Sequence, residues 1–181
     1  MITIKRKLIT LVAALAIVAS TAFVASAQQK NDDVRTANKI RKELVTLPYY
    51  GVFDNLAYKL DGDTVTLYGQ VVDAITRKDA ERRVKKIEGI EQVVNNIQVL
   101  PTSGFDNTIR VRTYRTLVRT GSLYRYFQGA NPSIHIVVNR GHVALEGVVS
   151  NRMDSQLAYT AARGISGVFS VTNNLRVERD N

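Results

Sequence analysis

The strongest constraint on this chain is that it contains the same stretch twice. Val65 and Val143 stand 78 positions apart, and at that offset the two stretches align without a gap as far as Val99 and Val177. Leu67 falls on Leu145, Gly69 on Gly147, Val71 on Val149, Ala80 on Ala158, Ile87 on Ile165 and Gly89 on Gly167. The unusual phrase "VVNNIQV" returns as "SVTNNLRV", so Asn95-Asn96 meets Asn173-Asn174. A chain that repeats strand, turn and helix signals in one register folds as two like units.

Each copy has the same order of elements. A helical stretch comes first, over about Asp33 to Leu47 before Pro48, and over about Asn107 to Thr120 before Gly121. Alternating strands follow, with Leu56, Tyr58 and Leu60 in copy one and Ile134, Ile136 and Val138 in copy two. A short turn (Asp61-Gly62-Asp63 or Asn139-Arg140-Gly141) leads to a second alternating strand, which makes a hairpin. Asp73 and Asn151 are placed to cap a second helix. That helix buries Ala80, Val84 and Ile87, or Ala158, Ala162 and Ile165, at i, i+4, i+7. A third strand closes each copy. The fold class is α+β: two tandem α-β-β-α-β modules, each a three-stranded mixed sheet with two helices on one face. The divisions are 1–27, 28–100, a linker 101–107 and 108–181. The paired Asn reads as structural, one side chain satisfying a backbone group where strand three joins the sheet.

Residues 1–27 read as a cleaved signal peptide, with an uncleaved membrane anchor as the alternative because Leu8 to Ala27 is nearly long enough to span a bilayer. Lys5, Arg6 and Lys7 form a basic start, Leu8 to Val18 is apolar, and Ala25-Ser26-Ala27 offers a cleavage site before Gln28. The +9 charge then falls by those three cations to +6. Export to a periplasm-like compartment turns this positive balance away from nucleic acid. It points instead to anionic phospholipid and other envelope polyanions, met by peripheral contact. Absence of Cys excludes disulfides, a thiol nucleophile and N-terminal Cys lipidation.

The stretches "VTLYGQVVDAITRKDAERRVKKIEGIEQVVNNIQV" and "VALEGVVSNRMDSQLAYTAARGISGVFSVTNNLRV" each resemble the BON domain family. Copy two carries its G-x-V-x-L-x-G-x-V pattern at Gly141, Val143, Leu145, Gly147 and Val149. Copy one departs, with Gly62 one residue early and Asp63 in the Gly position, so its turn is expected to differ. The resemblance implies phospholipid binding or support of envelope integrity, without catalysis and without a cofactor.

Motifs for chemistry are sparse. His135 and His142 are the only histidines, one in a strand and one beside a turn, and both read as solvated. Asp61 and Asp63 suit a turn without any metal, and no metal ligands are assigned. The informative stretch is "IRVRTYRTLVRTGSLYRYF". Its helical phase buries Val111, Tyr114, Leu117 and Val118 and lines up Arg112, Arg115 and Arg119 at i, i+3, i+7. Tyr124, Arg125 and Tyr126 follow. Guanidinium beside interfacial tyrosine suits a lipid headgroup. The alternative is that Tyr126 and Phe127 fill the core while the arginines are simply solvated. The run Arg77 to Lys86 is broken by Asp79 and Glu81 and reads as an ordinary exposed face. A second class of function stays open, an envelope module that binds another protein.

Overall fold

The computed structural model describes residues 32–178. The signal segment therefore lies outside the described residues. The chain divides into two compact units, Met1–Ile40 and Arg41–Asn181. Residues 32–45 are helical (α1). Both repeats of the sheet lie in the second unit.

In the first module β1 (Asn55–Asp61) pairs antiparallel with β2 (Thr64–Val71). Helix α2 (Ala74–Val84) then crosses to a third strand parallel to β2. Asp73 caps α2, its carboxylate accepting from Ile75 N at 2.8 Å. The third strand is interrupted, as β3 (Gln92–Asn95) and β4 (Gln98–Val99), both paired with β2. In the second module α3 (Gly104–Arg119) precedes a 3-10 helix (Gly121–Phe127), β5 (Ile134–Asn139), β6 (His142–Val149), α4 (Arg152–Arg163) and β7 (Ser170–Val177). Its sheet order is β5-β6-β7, antiparallel then parallel.

The mixed sheets and the tandem arrangement are as the repeat predicts. Helices α3 and α4 lie on one face of the second sheet. There Ile109, Leu117, Ala158 and Ala162 meet Ile134, Ile136, Val138, Val143 and Leu145 in one buried cluster. One boundary and one element differ from expectation. Helix α3 starts at Gly104, inside the stretch assigned as linker, because Ser103 Oγ accepts from Asp106 N at 3.1 Å and caps it three residues early. The 3-10 helix was not foreseen.

The paired Asn is explained by the first member of each pair. Asn95 Nδ2 donates to Arg77 O at 3.1 Å, and Asn173 Nδ2 donates to Ser155 O at 3.2 Å. Each Oδ1 accepts from the backbone N–H two residues on, Ile97 and Leu175. One side chain thus ties strand three to the helix that precedes it, at equivalent positions in both copies.

The hairpin turns differ, as the pattern predicts. In copy two Arg140 (φ 51) and Gly141 (φ 80) are both left-handed, the type I′ requirement; in copy one only Gly62 is (φ 61). The glycines of the strand motif serve another purpose. Gly69 (φ 117) and Gly147 (φ 119) lie where the neighbouring strand begins, and a Cβ there would meet the Asn55 or Ser133 carbonyl oxygen at 2.0 Å.

Strand β5 breaks the predicted alternation, since His135 and Val137 are buried along with Ile134, Ile136 and Val138. The reason is the first module's loop. Its Tyr50 ring lies over His135 and Gly51 O meets the His135 ring nitrogen, Ile136 N donates to Val52 O at 2.7 Å, and Val52 and Phe53 pack against the core on the helix side. The outer edge of β5 is therefore met by backbone from the first copy.

Candidate functional site

Helix α3 turns two different faces to its surroundings. The inner face clamps the β5–β6 hairpin. Asp106, fully buried, accepts from Arg140 N and Gly141 N, both at 2.8 Å. One turn on, Arg110 is only 2% exposed and donates through Nη2 to Val138 O at 2.7 Å. Burial holds the Arg110 guanidinium below its ordinary pKa, opposed by the Asp106 and Asp54 charges. The buried face is thus Asp106, Ile109, Arg110, Thr113 and Leu117. Val111, Tyr114 and Val118, expected at its centre, are half-buried on its flank. The phase was misread because Arg110 and Thr113 are polar residues doing interior work. Tyr114 sits edge-on to Phe127 at 5.5 Å and to Phe53 at 6.3 Å.

The outer face carries Arg112, Arg115 and Arg119, all exposed, roughly opposite the buried side. Among the described residues none of the three is in an ion pair, whereas Arg82 is paired with Asp79 and Arg83 with Glu43 on the first module. Tyr124, at 52% exposure, stands just beyond the helix end.

Arg125 and Tyr126 are placed differently from the stripe. Tyr126 is buried, and its hydroxyl donates to Asp154 Oδ2 at 2.6 Å while accepting from Ser150 N at 3.0 Å and Arg125 Nη2 at 2.8 Å. Arg125 also pairs with Asp154. Ser122 Oγ donates to Asp154 Oδ1 at 2.9 Å, and Asn151 Nδ2 to Oδ2 at 3.0 Å. These side chains join the 3-10 helix to the N-terminus of α4. The hydrogen-bonding role of Asp154 was missed in the sequence, although its position three residues after the cap Asn151 was visible.

A second polar cluster lies where the modules meet. His135, expected in solvent, is buried because Tyr50 covers it, with ring centroids 5.3 Å apart. Its Nδ1 lies 3.2 Å from Gly51 O, which can only accept, so Nδ1 carries the proton. Nε2 then accepts from the Tyr50 hydroxyl at 3.4 Å. Nearby Asp54, also buried, accepts from Gly51 N at 2.9 Å and Val72 N at 2.7 Å. Burial lowers the His135 pKa, opposed by the Gly51 and Asp54 backbone and by the Asp54 and Glu146 charges. Burial also raises Asp54, and it pushes the Tyr50 phenol up to about 12. His142, by contrast, is exposed and bonds Ser170 Oγ at 2.7 Å.

The signs give a pH prediction. A base whose folded pKa is depressed favours folding above its unfolded value near 6.5, and that contribution fades as pH falls through 6.5 toward the folded value. Asp54, raised by burial, works in the opposite sense as pH falls through its own folded value. Tyr50 weakens the fold from about pH 10 upward. The melting temperature should therefore fall between pH 7.5 and pH 5.5, and His135→Gln should remove most of that slope. A wild-type melting temperature that stays flat across this interval would rule out His135 as the titrating group.

Among the described residues no cluster of His, Asp or Glu is arranged to hold a metal, and no helix is long and apolar enough to cross a membrane.

The sequence model of the BON domain matches residues 32–101 and again 106–179. No curated protein matches. Solved structures that are similar in part include two of one protein. One is CdsD, a structural protein of the Type III secretion system of Chlamydia trachomatis, at 11% identity and TM-score 0.32, covering 78% of this chain and 91% of that one. The other is the C-terminal domain of CdsD, at 11% identity and TM-score 0.28, covering 78% and 96%. At such TM-scores neither likeness bears on what this chain does.

Proposed function

The chain belongs to the BON domain family, and from that premise we propose that it is an exported, non-enzymatic protein that docks on anionic phospholipid at an envelope surface. In this reading it supports envelope integrity or stress tolerance from a periplasmic location, as a peripheral protein with its leader removed. The observation that carries it is the outer face of α3, where Arg112, Arg115 and Arg119 are exposed and without an ion pair among the described residues. Lysine or arginine held at a negatively charged membrane is attracted within a Debye length. Tyr124 adds an amphipathic ring beside the stripe. Arg125 and Tyr126 act behind this surface, fixing the corner that presents it.

The test is co-sedimentation of the chain from Gln28 onward with vesicles of phosphatidylcholine alone or with added phosphatidylglycerol. Binding should rise with the anionic fraction and weaken with salt. Arg112→Glu, Arg115→Glu and Arg119→Glu together should weaken it roughly a hundredfold with the melt unchanged. Unaltered binding by the folded triple variant would remove α3 as the lipid surface.

A protein-binding role is favoured by a different observation. Phe105 and Phe169 are 51% and 70% exposed, with ring centroids 6.0 Å apart at the turn end of the second module. Exposed paired aromatics suit a partner protein. Phe105→Ser with Phe169→Ser would leave vesicle binding intact on the lipid reading.

A further inference from the structure

A groove of ≈ 580 Å³ runs between the modules, on the side of the second sheet away from α3 and α4. That volume is in the range of small-molecule sites, about 300–1,000 Å³. Leu44 and Val45 at the end of α1, Leu56 on β1 and Val148 on β6 give it apolar walls, while Arg41, Arg176 and two tyrosines supply its polar lining. Neither arginine forms an ion pair among the described residues, and no Asp or Glu lines the groove. Both are exposed, so their charges stand at the opening while the aliphatic side chains lie below. The complement of apolar walls under two unneutralised cations is an apolar chain ending in an anion.

We propose that this groove binds a single-chain anionic amphiphile, its chain between Leu44, Val45, Leu56 and Val148 and its head on Arg41 and Arg176. The convex stripe on α3 meets a surface of many headgroups. A groove between two modules admits one molecule taken out of such a surface, and the two sites lie on opposite sides of the second sheet. The proposal therefore goes beyond the docking reading and stands or falls apart from it.

Calorimetric titration of the chain from Gln28 with dodecanoate, below its micelle concentration, is the test. One saturating equivalent is expected. Dodecyl maltoside, with the same chain and no charge, and inorganic phosphate, with charge and no chain, should each bind at least tenfold more weakly. Arg41→Ala with Arg176→Ala should weaken dodecanoate about a hundredfold, at roughly tenfold per charge-assisted contact. Val148→Trp should fill the groove and abolish binding. The α3 triple variant should bind dodecanoate as the wild type does, even where it has lost vesicles. No saturation with dodecanoate, affinity unchanged in both groove variants, or binding of a hexaglutamate peptide in its place would overturn the proposal.

Discussion

Gly147→Ala is expected to unfold the second module, or at least to lower the melting temperature by on the order of 10 °C. The residue holds φ 119, which side-chain-bearing residues rarely adopt, but the dihedral is the smaller part of the cost. A Cβ would stand 2.0 Å from the Ser133 carbonyl oxygen and 3.0 Å from its carbon, both backbone atoms that no rotamer change can move. The start of β5 must separate from β6 by more than an ångström. That movement breaks the Ile134–Gly147 pairing and the 2.9 Å bond from Val148 N to Ser133 O. Losses of about 4 kcal/mol belong to this kind of backbone conflict, and at about 2–4 °C per kcal/mol for a chain of this size the shift is large. Gly62→Ala is the control. It also has a positive φ, 61, but nothing lies within 4 Å of its would-be Cβ, so only about 1 kcal/mol of strain is expected. Thermal melts followed by circular dichroism decide the matter. If Gly147→Ala melts no lower than Gly62→Ala, the close approach does not govern the pairing.

Asp154→Ala should cost roughly 1–3 kcal/mol at neutral pH, because it strands the buried Tyr126 hydroxyl rather than merely deleting a contact. Asp154 is 5% exposed, and its carboxylate receives Ser122, Tyr126, Asn151 and Arg125 at once. Without it the Tyr126 hydroxyl keeps its incoming bonds from Ser150 N and Arg125 but has no acceptor for its own proton. The Tyr126 bond holds the Asp154 carboxyl below the usual carboxylate range, with Ser122 and Arg125 adding to it against the effect of burial. A depressed carboxylate contributes stability that is full above its unfolded pKa near 3.8 and lost as pH falls through the lower folded value. Urea unfolding at pH 7 and again near pH 3 tests both parts. Wild type should lose this increment in acid, while Asp154→Ala and the isosteric Asp154→Asn should show a shallower acid dependence. Equal acid dependence in all three proteins would mean that the carboxylate is not held by this network.

The parts of the fold that were readable are those that obey a period. Alternation placed β1, β2 and β6, and the i, i+4, i+7 spacing placed Ala158, Ala162 and the turn of α4 that follows. The repeat made each element testable against its copy, so the Asn95 and Asn173 bonds could be anticipated as backbone satisfaction. What was not readable depends on contact between the modules or on polar residues inside them. His135 reads as a strand residue facing water, and only the Tyr50 loop, distant in sequence, buries it. Arg110 looks like one more cation in an arginine-rich helix, yet its guanidinium serves a buried carbonyl while its neighbours Arg112 and Arg115 face solvent. Hydropathy cannot separate these cases, because the residue type is the same and only the rotation of the helix differs. The groove near Arg41 and Arg176 was invisible for a similar reason, since its walls come from four separate elements.

The bond from Ile136 N to Val52 O has a further meaning for a chain built from two like halves. Duplicated sheets carry the seed of runaway pairing, since any bare margin that fits one copy's neighbour fits the same copy in the next molecule. Here the second copy's margin is met from within, by a loop tethered to it through the short segment between Leu100 and Ser103. The tether keeps that loop at a high effective concentration, so a strand from another molecule competes at a disadvantage. At this margin of β5, then, the first copy takes the place that a strand from another molecule would need.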